Sequence, residues 1–288
     1  MKVGVIGLGR MGGPMARNIV KGGHTVTVYD VRREAAQAIE GASAAANPAA
    51  VAAASDAVLI SVPGPEEDDA VILGADGILA GARDGLLVID ATTITVPQTR
   101  TLAATCAARG LDYLDAPVSG AHHGAVAGTL TVMAGGDAAA FARAEPVFKC
   151  VGTNIRHIGP TGCGTAIKLI NQAVYVSYMS AFAEGLALGD AVGIPLETML
   201  DVLGSSAAGH PMIATKYDEI RGKANTRFAI ERATLFLDLA QQAFRDVGCT
   251  TPVFDAAMDS LRRAEGLGLA NEDIIVARSK YLGPDAGR

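Results

Sequence analysis

The run Lys2-Val3-Gly4-Val5-Ile6 leads directly into Gly7-Leu8-Gly9-Arg10-Met11-Gly12 and then into a helical stretch, Gly12 to Lys21. A GxGxxG between a strand and a helix leaves few folds open. Gly7 permits the tight turn, Gly9 lets a pyrophosphate approach the backbone, and Gly12 lets helix pack on strand. The helix N-terminus supplies N–H groups and the positive end of its dipole. The chain holds 34 glycines, so the hexapeptide carries weight only through this setting. A second β-branched run, Thr25 to Tyr29, ends at Asp30, roughly twenty residues on, where a carboxylate accepts hydrogen bonds from an adenosine ribose; the alternative is a turn-forming residue. Gly7, Leu8, Gly9, Arg10, Met11, Gly12 and Asp30 are therefore expected to bind NAD or NADP. The acid favours NAD because it repels a 2′-phosphate, whereas Arg32 and Arg33 offer countercharge to NADP; NAD is preferred and NADP stays open.

At 288 residues the chain exceeds what one core usually serves. Short β-branched runs alternate with helical stretches through the first half, the pattern of a parallel sheet covered on both faces. The expected strands are Val3 to Gly7, Thr25 to Tyr29, Ala57 to Ser61, Leu86 to Asp90, Tyr113 to Ala116 and Thr131 to Ala134. After Pro160 strand signals nearly vanish and helical periodicity takes over. One long helix is expected over Ala166 to Asp190, with others over Leu196 to Leu203, Ala229 to Val247 and Val253 to Arg263. The fold class is thus α/β followed by an all-α domain, joined by a long helix, with domains over 1–161 and 162–288. Ala173, Ser177, Ala181 and Gly185 recur every fourth position, a stripe suited either to ordinary helix packing or to a dimer seam.

Half the residues are hydrophobic and 19% are charged, enough apolar material for substantial cores. A net charge of −6 without a Lys/Arg run excludes a nucleic-acid surface from the reading and leaves small molecules as partners. Cys106, Cys150, Cys163 and Cys249 are scattered, with no CxxC pair; they read as buried free thiols in a reducing compartment. No export signal is visible, and Asn47, Pro48, Ser55 and Asp56 interrupt the apolar stretch Ala42 to Ile60 short of membrane-spanning length. The expected setting is cytoplasmic, with no membrane contact.

Two further segments carry chemistry. Asp115-Ala116-Pro117-Val118-Ser119-Gly120-Ala121 starts where a strand should end and becomes a glycine-punctuated loop through Leu130, in the region where open α/β sheets bind ligands. Ser119, with the N–H groups of Gly120 and Ala121, suits a substrate carboxylate; the alternative is a plain connection. Gly159 to Gly164 is a glycine loop opening the long helix, on which Lys168 and Asn171 share a face. A Lys near a helix N-terminus is electrostatically misplaced, which points to function; the alternative is a solvated side chain.

Together GLGRMGGPM at Gly7 to Met15, DAPVSGAHHGAVAGTL at Asp115 to Leu130 and GPTGCGTAIKLINQ at Gly159 to Gln172 resemble the cofactor, substrate and catalytic motifs of the β-hydroxyacid dehydrogenases, in order and spacing over nearly the whole chain. The resemblance implies a Rossmann-like N-terminal domain, a helical C-terminal domain and a cleft between them. It implies hydride transfer between NAD(P) and a small 3-hydroxy acid or its semialdehyde, in a homodimer or homotetramer. It also implies Lys168 as general acid in reduction and base in the reverse direction, with Asn171 orienting it or the substrate oxygen. Ser119, Gly120 and Ala121 would hold the carboxylate, while Val62, Pro63, Ala91, Thr92 and Thr93 would border the cofactor. The base role requires a lowered Lys pKa, which desolvation supplies. No metal is required.

The chain departs from the family in two places. Ala121 stands where a second Gly usually follows Ser-Gly, and His122 and His123 come next, raising a ligand role for either. Aligned from Phe228, Leu235 and Phe236 replace a Lys-Asp pair of many relatives, which implies a bulkier or more apolar substrate or relaxed cofactor contacts, with Glu231, Arg232 and Asp238 as compensating or ordinary surface charges. The alternatives are an imine reductase, which usually lacks the equivalents of Lys168 and the Ser-Gly cradle, and a cofactor-binding regulator without catalysis.

Overall fold

The computed structural model describes residues 1–210, 213, 215–221, 223 and 229–275, in two compact units that divide between Leu169 and Ile170. Phe228 and the side chain of Arg232 lie outside the described residues.

The first unit is built on one twisted sheet. Its strands are β1 (Lys2–Ile6), β2 (Thr25–Tyr29), β3 (Ala42–Ala44), β4 (Ala57–Ile60), β5 (Leu87–Asp90), β6 (Asp112–Asp115), β7 (Val118–Ser119), β8 (Leu130–Gly136) and β9 (Gly152–Gly159). They lie in the order β3-β2-β1-β4-β5-β6-β8-β7, with β9 on β8. From β3 to β6 all pairs are parallel, in registers such as Val3 with Val26 and Val3 with Ala57. The chain leaves β1 for β2 on one side and returns through β4 on the other, so the crevice outside the ends of β1 and β4 is the switch point where such sheets bind ligands.

Side chains alternate across each strand, and both faces are covered. Val3, Val5, Leu59, Leu87 and Ile89 join one core with Met15, Ile19 and Phe148; Ile6, Val58, Ile60 and Val88 join a second with Val51, Ile72 and Leu102. The first core is closed by α1 (Gly12–Lys21), α2 (Arg33–Gln37) and α8 (Ala138–Val151), the second by α3 (Pro48–Ala53), α4 (Pro65–Leu73), α5 (Ile78–Gly81) and α6 (Val96–Ala107). Helix starts follow local chemistry: Asn47, Thr95 and Asp137 each cap a following helix by accepting backbone N–H bonds.

All six expected strands are present, but the sheet is not purely parallel, because β8 runs antiparallel to β6 and β7. Three strands had no sequence signal. β3 and β7 are two or three residues long, and β9 carries Asn154, Arg156 and His157 on a largely exposed edge, so apolar alternation never marked it. Residues 121–127, read as loop, form α7 (Ala121–Ala127), which ends at Gly128 in the left-handed conformation. Of the four free cysteines only Cys106 is buried; Cys150 and Cys163 are half-buried and Cys249 is exposed, which corrects the expectation that all four are interior.

The long helix α9 (Cys163–Ala191) begins three residues earlier than its periodicity predicts. In the second unit, α10 (Leu196–Ser205) packs closely on the C-terminal part of α9: a Cβ at Gly189 would lie 2.0 Å from the Met199 sulfur. The helices Ile230–Asp246 and Pro252–Gly266 bury Ala233, Leu237 and Ala240 with Phe254, Met258 and Leu261. The buried Lys216 is neutralised by Asp273 at 2.7 Å. Among the described residues no helix is long and apolar enough to cross a membrane.

The start of α9 is pressed against the sheet. A Cβ on Gly164 would come within 2.3 Å of the Met133 carbonyl and 2.4 Å of the Asp115 carbonyl, both backbone atoms that cannot swing away. Gly164→Ala is expected to lower unfolding free energy by roughly 1–3 kcal/mol, as overpacking does, read from the urea midpoint at unchanged slope.

Candidate active site

The glycine turn after β1 has the conformation its residues suggest. Gly7 adopts φ 84°, donates its N–H to the Tyr29 carbonyl at 2.9 Å, and has no space for a side chain because Ser61 O would lie 2.2 Å from its Cβ. A Cβ on Gly12 would lie 1.8 Å from the Gly7 carbonyl, so helix and turn touch backbone to backbone. A Cβ on Gly9 would meet nothing within 4 Å, which leaves the space above the turn open. Met11 precedes α1 without a side-chain cap; Gly13 N–H donates to the Gly9 carbonyl at 3.1 Å and Pro14 carries no N–H, so the pull on an anion comes from Gly12 N–H and the positive end of the helix dipole. Arg10 is exposed, and its carbonyl accepts a bond from His122 Nδ1 at 2.7 Å.

Asp30 stands just beyond β2 with its carboxylate buried. Oδ2 accepts from Leu8 N–H at 2.7 Å, and Oδ1 accepts from the backbone and side chain of Arg32. Burial alone would raise its pKa, but the bonds from Arg32 and Leu8 and the guanidinium charge outweigh it and hold the carboxyl below its ordinary value. The acid therefore stays ionised and tied to the glycine turn.

Val62 and Pro63 follow β4, and Ala91, Thr92 and Thr93 follow β5. Thr92 N–H donates to Asp90 at 2.8 Å and its Oγ accepts from Val62 N–H at 3.4 Å, so the two turns are joined. Thr93 is buried beside them.

Ser119 ends β7 half-buried, paired with Thr131. Gly120 takes φ 132° and Ala121 φ 53°, so two successive residues adopt conformations that suit glycine. The family's usual Gly at the second position has this physical reason. Lys168 Nζ donates to the Val118 carbonyl at 2.8 Å, one residue before Ser119, and burial lowers its pKa to about 8. Asn171 is half-buried three residues further along α9, on the same helical face.

What holds Lys168 there had no role in the sequence reading. Asp115, at the end of β6, accepts from Gly162 N–H at 2.8 Å and Thr165 N–H at 2.7 Å and so caps α9. Burial raises its carboxyl above the ordinary range, and the bonds from Gly162 and Thr165 oppose that rise. The partners are some fifty residues apart, beyond any local motif. His122, considered as a ligand, instead bridges α7 to the glycine turn, and among the described residues no His, Cys, Asp and Glu group suits a metal. Leu235 is exposed and Phe236 half-buried on their helix; Glu231 is exposed, and Asp238 pairs with Arg262 at 3.0 Å as an ordinary surface charge.

An ionised acid anchored to a GxGxxG turn, a helix start with no side-chain cap and open space over Gly9 suit the ribose and pyrophosphate of a dinucleotide, and the chain is an NAD(P)-dependent oxidoreductase of the Rossmann type. The family model for the NAD binding domain of 6-phosphogluconate dehydrogenase matches residues 2–159, and that for the NAD-binding region of NADP-dependent 3-hydroxyisobutyrate dehydrogenase matches residues 162–278. The chain is 35% identical to 2-(hydroxymethyl)glutarate dehydrogenase of Eubacterium barkeri, over 95% of this chain and 92% of that protein. It is 34% identical to NAD-dependent L-serine dehydrogenase of Pseudomonas aeruginosa, over 100% and 99%. The solved structure of Mycobacterium tuberculosis 3-hydroxyisobutyrate dehydrogenase with L-serine superposes with a TM-score of 0.88 at 30% identity, covering 96% of this chain and 97% of that one. The chain belongs to the β-hydroxyacid dehydrogenase family, and its cofactor is NAD or NADP.

The conformation of Ala121 supports one prediction. A non-glycine residue in the left-handed region costs roughly 1 kcal/mol, so Ala121→Gly should stabilise the protein by about that amount in thermal or urea unfolding.

Proposed function

We propose that the chain oxidises the hydroxymethyl group of a 3-hydroxy acid to the semialdehyde, and reduces it back, with Lys168 as the acid–base group. The carrying observation is the Lys168 ammonium held at 2.8 Å by the carbonyl next to Ser119, where burial lowers its pKa to about 8. The relatives' named substrates, 2-(hydroxymethyl)glutarate, L-serine and 3-hydroxyisobutyrate, share a carboxylate whose α-carbon bears a hydroxymethyl group. Ser119 and the backbone of Gly120 and Ala121 bind that carboxylate. Bound NAD(P) supplies or accepts the hydride. In the oxidation direction neutral Lys168 takes the hydroxyl proton; in reduction its ammonium returns a proton to the developing alkoxide and stabilises the charge. Asn171 orients the reacting oxygen or Lys168.

In this reading Gly7 to Gly12 hold the pyrophosphate, Val62, Pro63 and Thr93 border the cofactor, and ionised Asp30 selects NAD by repelling a 2′-phosphate. The chain works in the cytoplasm as a homodimer or homotetramer.

Lys168→Ala should lower turnover of 3-hydroxy acids by about 10²–10⁴-fold while NADH binding, followed by its fluorescence, persists. Equal turnover in both proteins removes Lys168 from this role. Because the lysine pKa is lowered, the neutral base becomes available as pH rises through about 8: the oxidation rate should climb across that range and the reduction rate should fall. Asp30→Asn should raise the preference for NADP over NAD by about tenfold, or ~1.4 kcal/mol, in the ratio of kcat/KM values.

A further inference from the structure

Beneath the turns after β4 and β5 lies a polar group that the proposed chemistry does not use. Asp90, at the end of β5, is almost wholly buried; it accepts from the Tyr113 hydroxyl at 2.6 Å and from Thr92 N–H at 2.8 Å. Asp68 of α4 is fully buried against it, close enough for a direct hydrogen bond between the carboxyls. As two carboxylates neither can donate, and both Asp68 oxygens then lack a partner. The groups facing the pair are Asp69 on α4, Thr92 after β5, Cys106 on α6 and Tyr113 on β6, with Asp115 acting on Tyr113 from the same strand; none is a cation.

Two like charges in a dry site do not both ionise, and one of the pair keeps a proton. Burial and the neighbouring Asp90, with Asp69, push Asp68 well above the carboxylate range, and the Thr92 hydroxyl opposes that rise without cancelling it. Asp90 is raised by burial, but the bonds it accepts, including that from Asp68, oppose the rise. The proton therefore belongs on Asp68, where its O–H satisfies an otherwise orphaned group.

We propose that Asp68 is protonated and donates to the Asp90 carboxylate, and that this contact positions the two cofactor-bordering turns. Asp90 Oδ1 orients Thr92 through its N–H, and Thr92 Oγ receives the Val62 N–H, so the orientation of one carboxylate governs both turns. Ionisation of Asp68 sets two negative charges against each other and disturbs that orientation. The positioning role rests on the reading of these turns as cofactor-bordering; the protonation does not.

Two measurements on the full chain test this. Infrared spectra of the cofactor-free protein near neutral pH should contain a protonated carboxylic-acid carbonyl band that is lost in Asp68→Asn; the same spectrum in both proteins overturns the protonation. Fluorescence titration with NADH and with NADPH near neutral pH should give Asp68→Asn, whose amide donates as the acid does, an affinity within about twofold of wild type, and Asp68→Leu, checked for folding by circular dichroism, an affinity about tenfold weaker. Wild-type affinity in Asp68→Leu, or no rescue by Asp68→Asn, overturns the positioning role. An infrared band together with no binding of either NADH or NADPH by wild type leaves the protonation standing and rejects the cofactor reading of the turns, and with it the positioning.

Discussion

The carboxylate of Asp115 at the N-terminus of α9 is the contact on which the candidate site depends. It bonds to two N–H groups of the first helical turn, and a negative charge there gains from the helix dipole by as much as ~2 kcal/mol in a partly buried setting. The strand that carries Asp115 also leads into Val118 and Ser119. One side chain thus fixes the helix that presents Lys168 relative to the carbonyl that receives its ammonium. Gly164 and Gly135 make the contact possible, because a Cβ on either would strike the Asp115 carboxylate, its carbonyl or the facing backbone.

The cofactor end is organised by a second buried acid in the same manner. Asp30 reaches back to Leu8 N–H and so couples the end of β2 to the glycine turn after β1. Arg32 lies on the same carboxylate, and this pairing limits its freedom to serve as a phosphate countercharge. Both acids therefore link segments that are neighbours in space but separate in the chain. Their electrostatics follow from which donors each has: Asp30, with the Arg32 guanidinium and two backbone N–H groups, stays below its ordinary value, whereas more deeply buried Asp115 rises above it.

Much of this was legible in the residues. β1, β2, β4 and β5 announce themselves by β-branched runs, and α1, α9 and the later helices by apolar spacing at the helical period. Gly7, Gly9 and Gly12 could be assigned turn, open approach and close packing from the motif alone, and each geometry agrees. β9 escaped because its residues are polar and its pairing comes from β8. α7 escaped because Gly120, Gly124 and Gly128 look like loop punctuation, although Gly124 lies within a helical turn and Gly128 ends it. The cysteines were misjudged because scattered spacing excludes disulfides and metal clusters without saying which thiols the core covers.

The sequence by itself determined the six β-branched strands and the longer helices in their order along the chain, the glycine turn for a dinucleotide, and a lysine one turn inside the long helix, because these depend on residues near one another in the chain. Tertiary structure alone decided that Asp115 caps α9, that Lys168 bonds to Val118, and that Asp68 lies against Asp90. Each of those contacts joins residues separated by 22 to 50 positions. Burial and charge at such places depend on which strands become neighbours, and strand order is settled by the packing of the whole sheet.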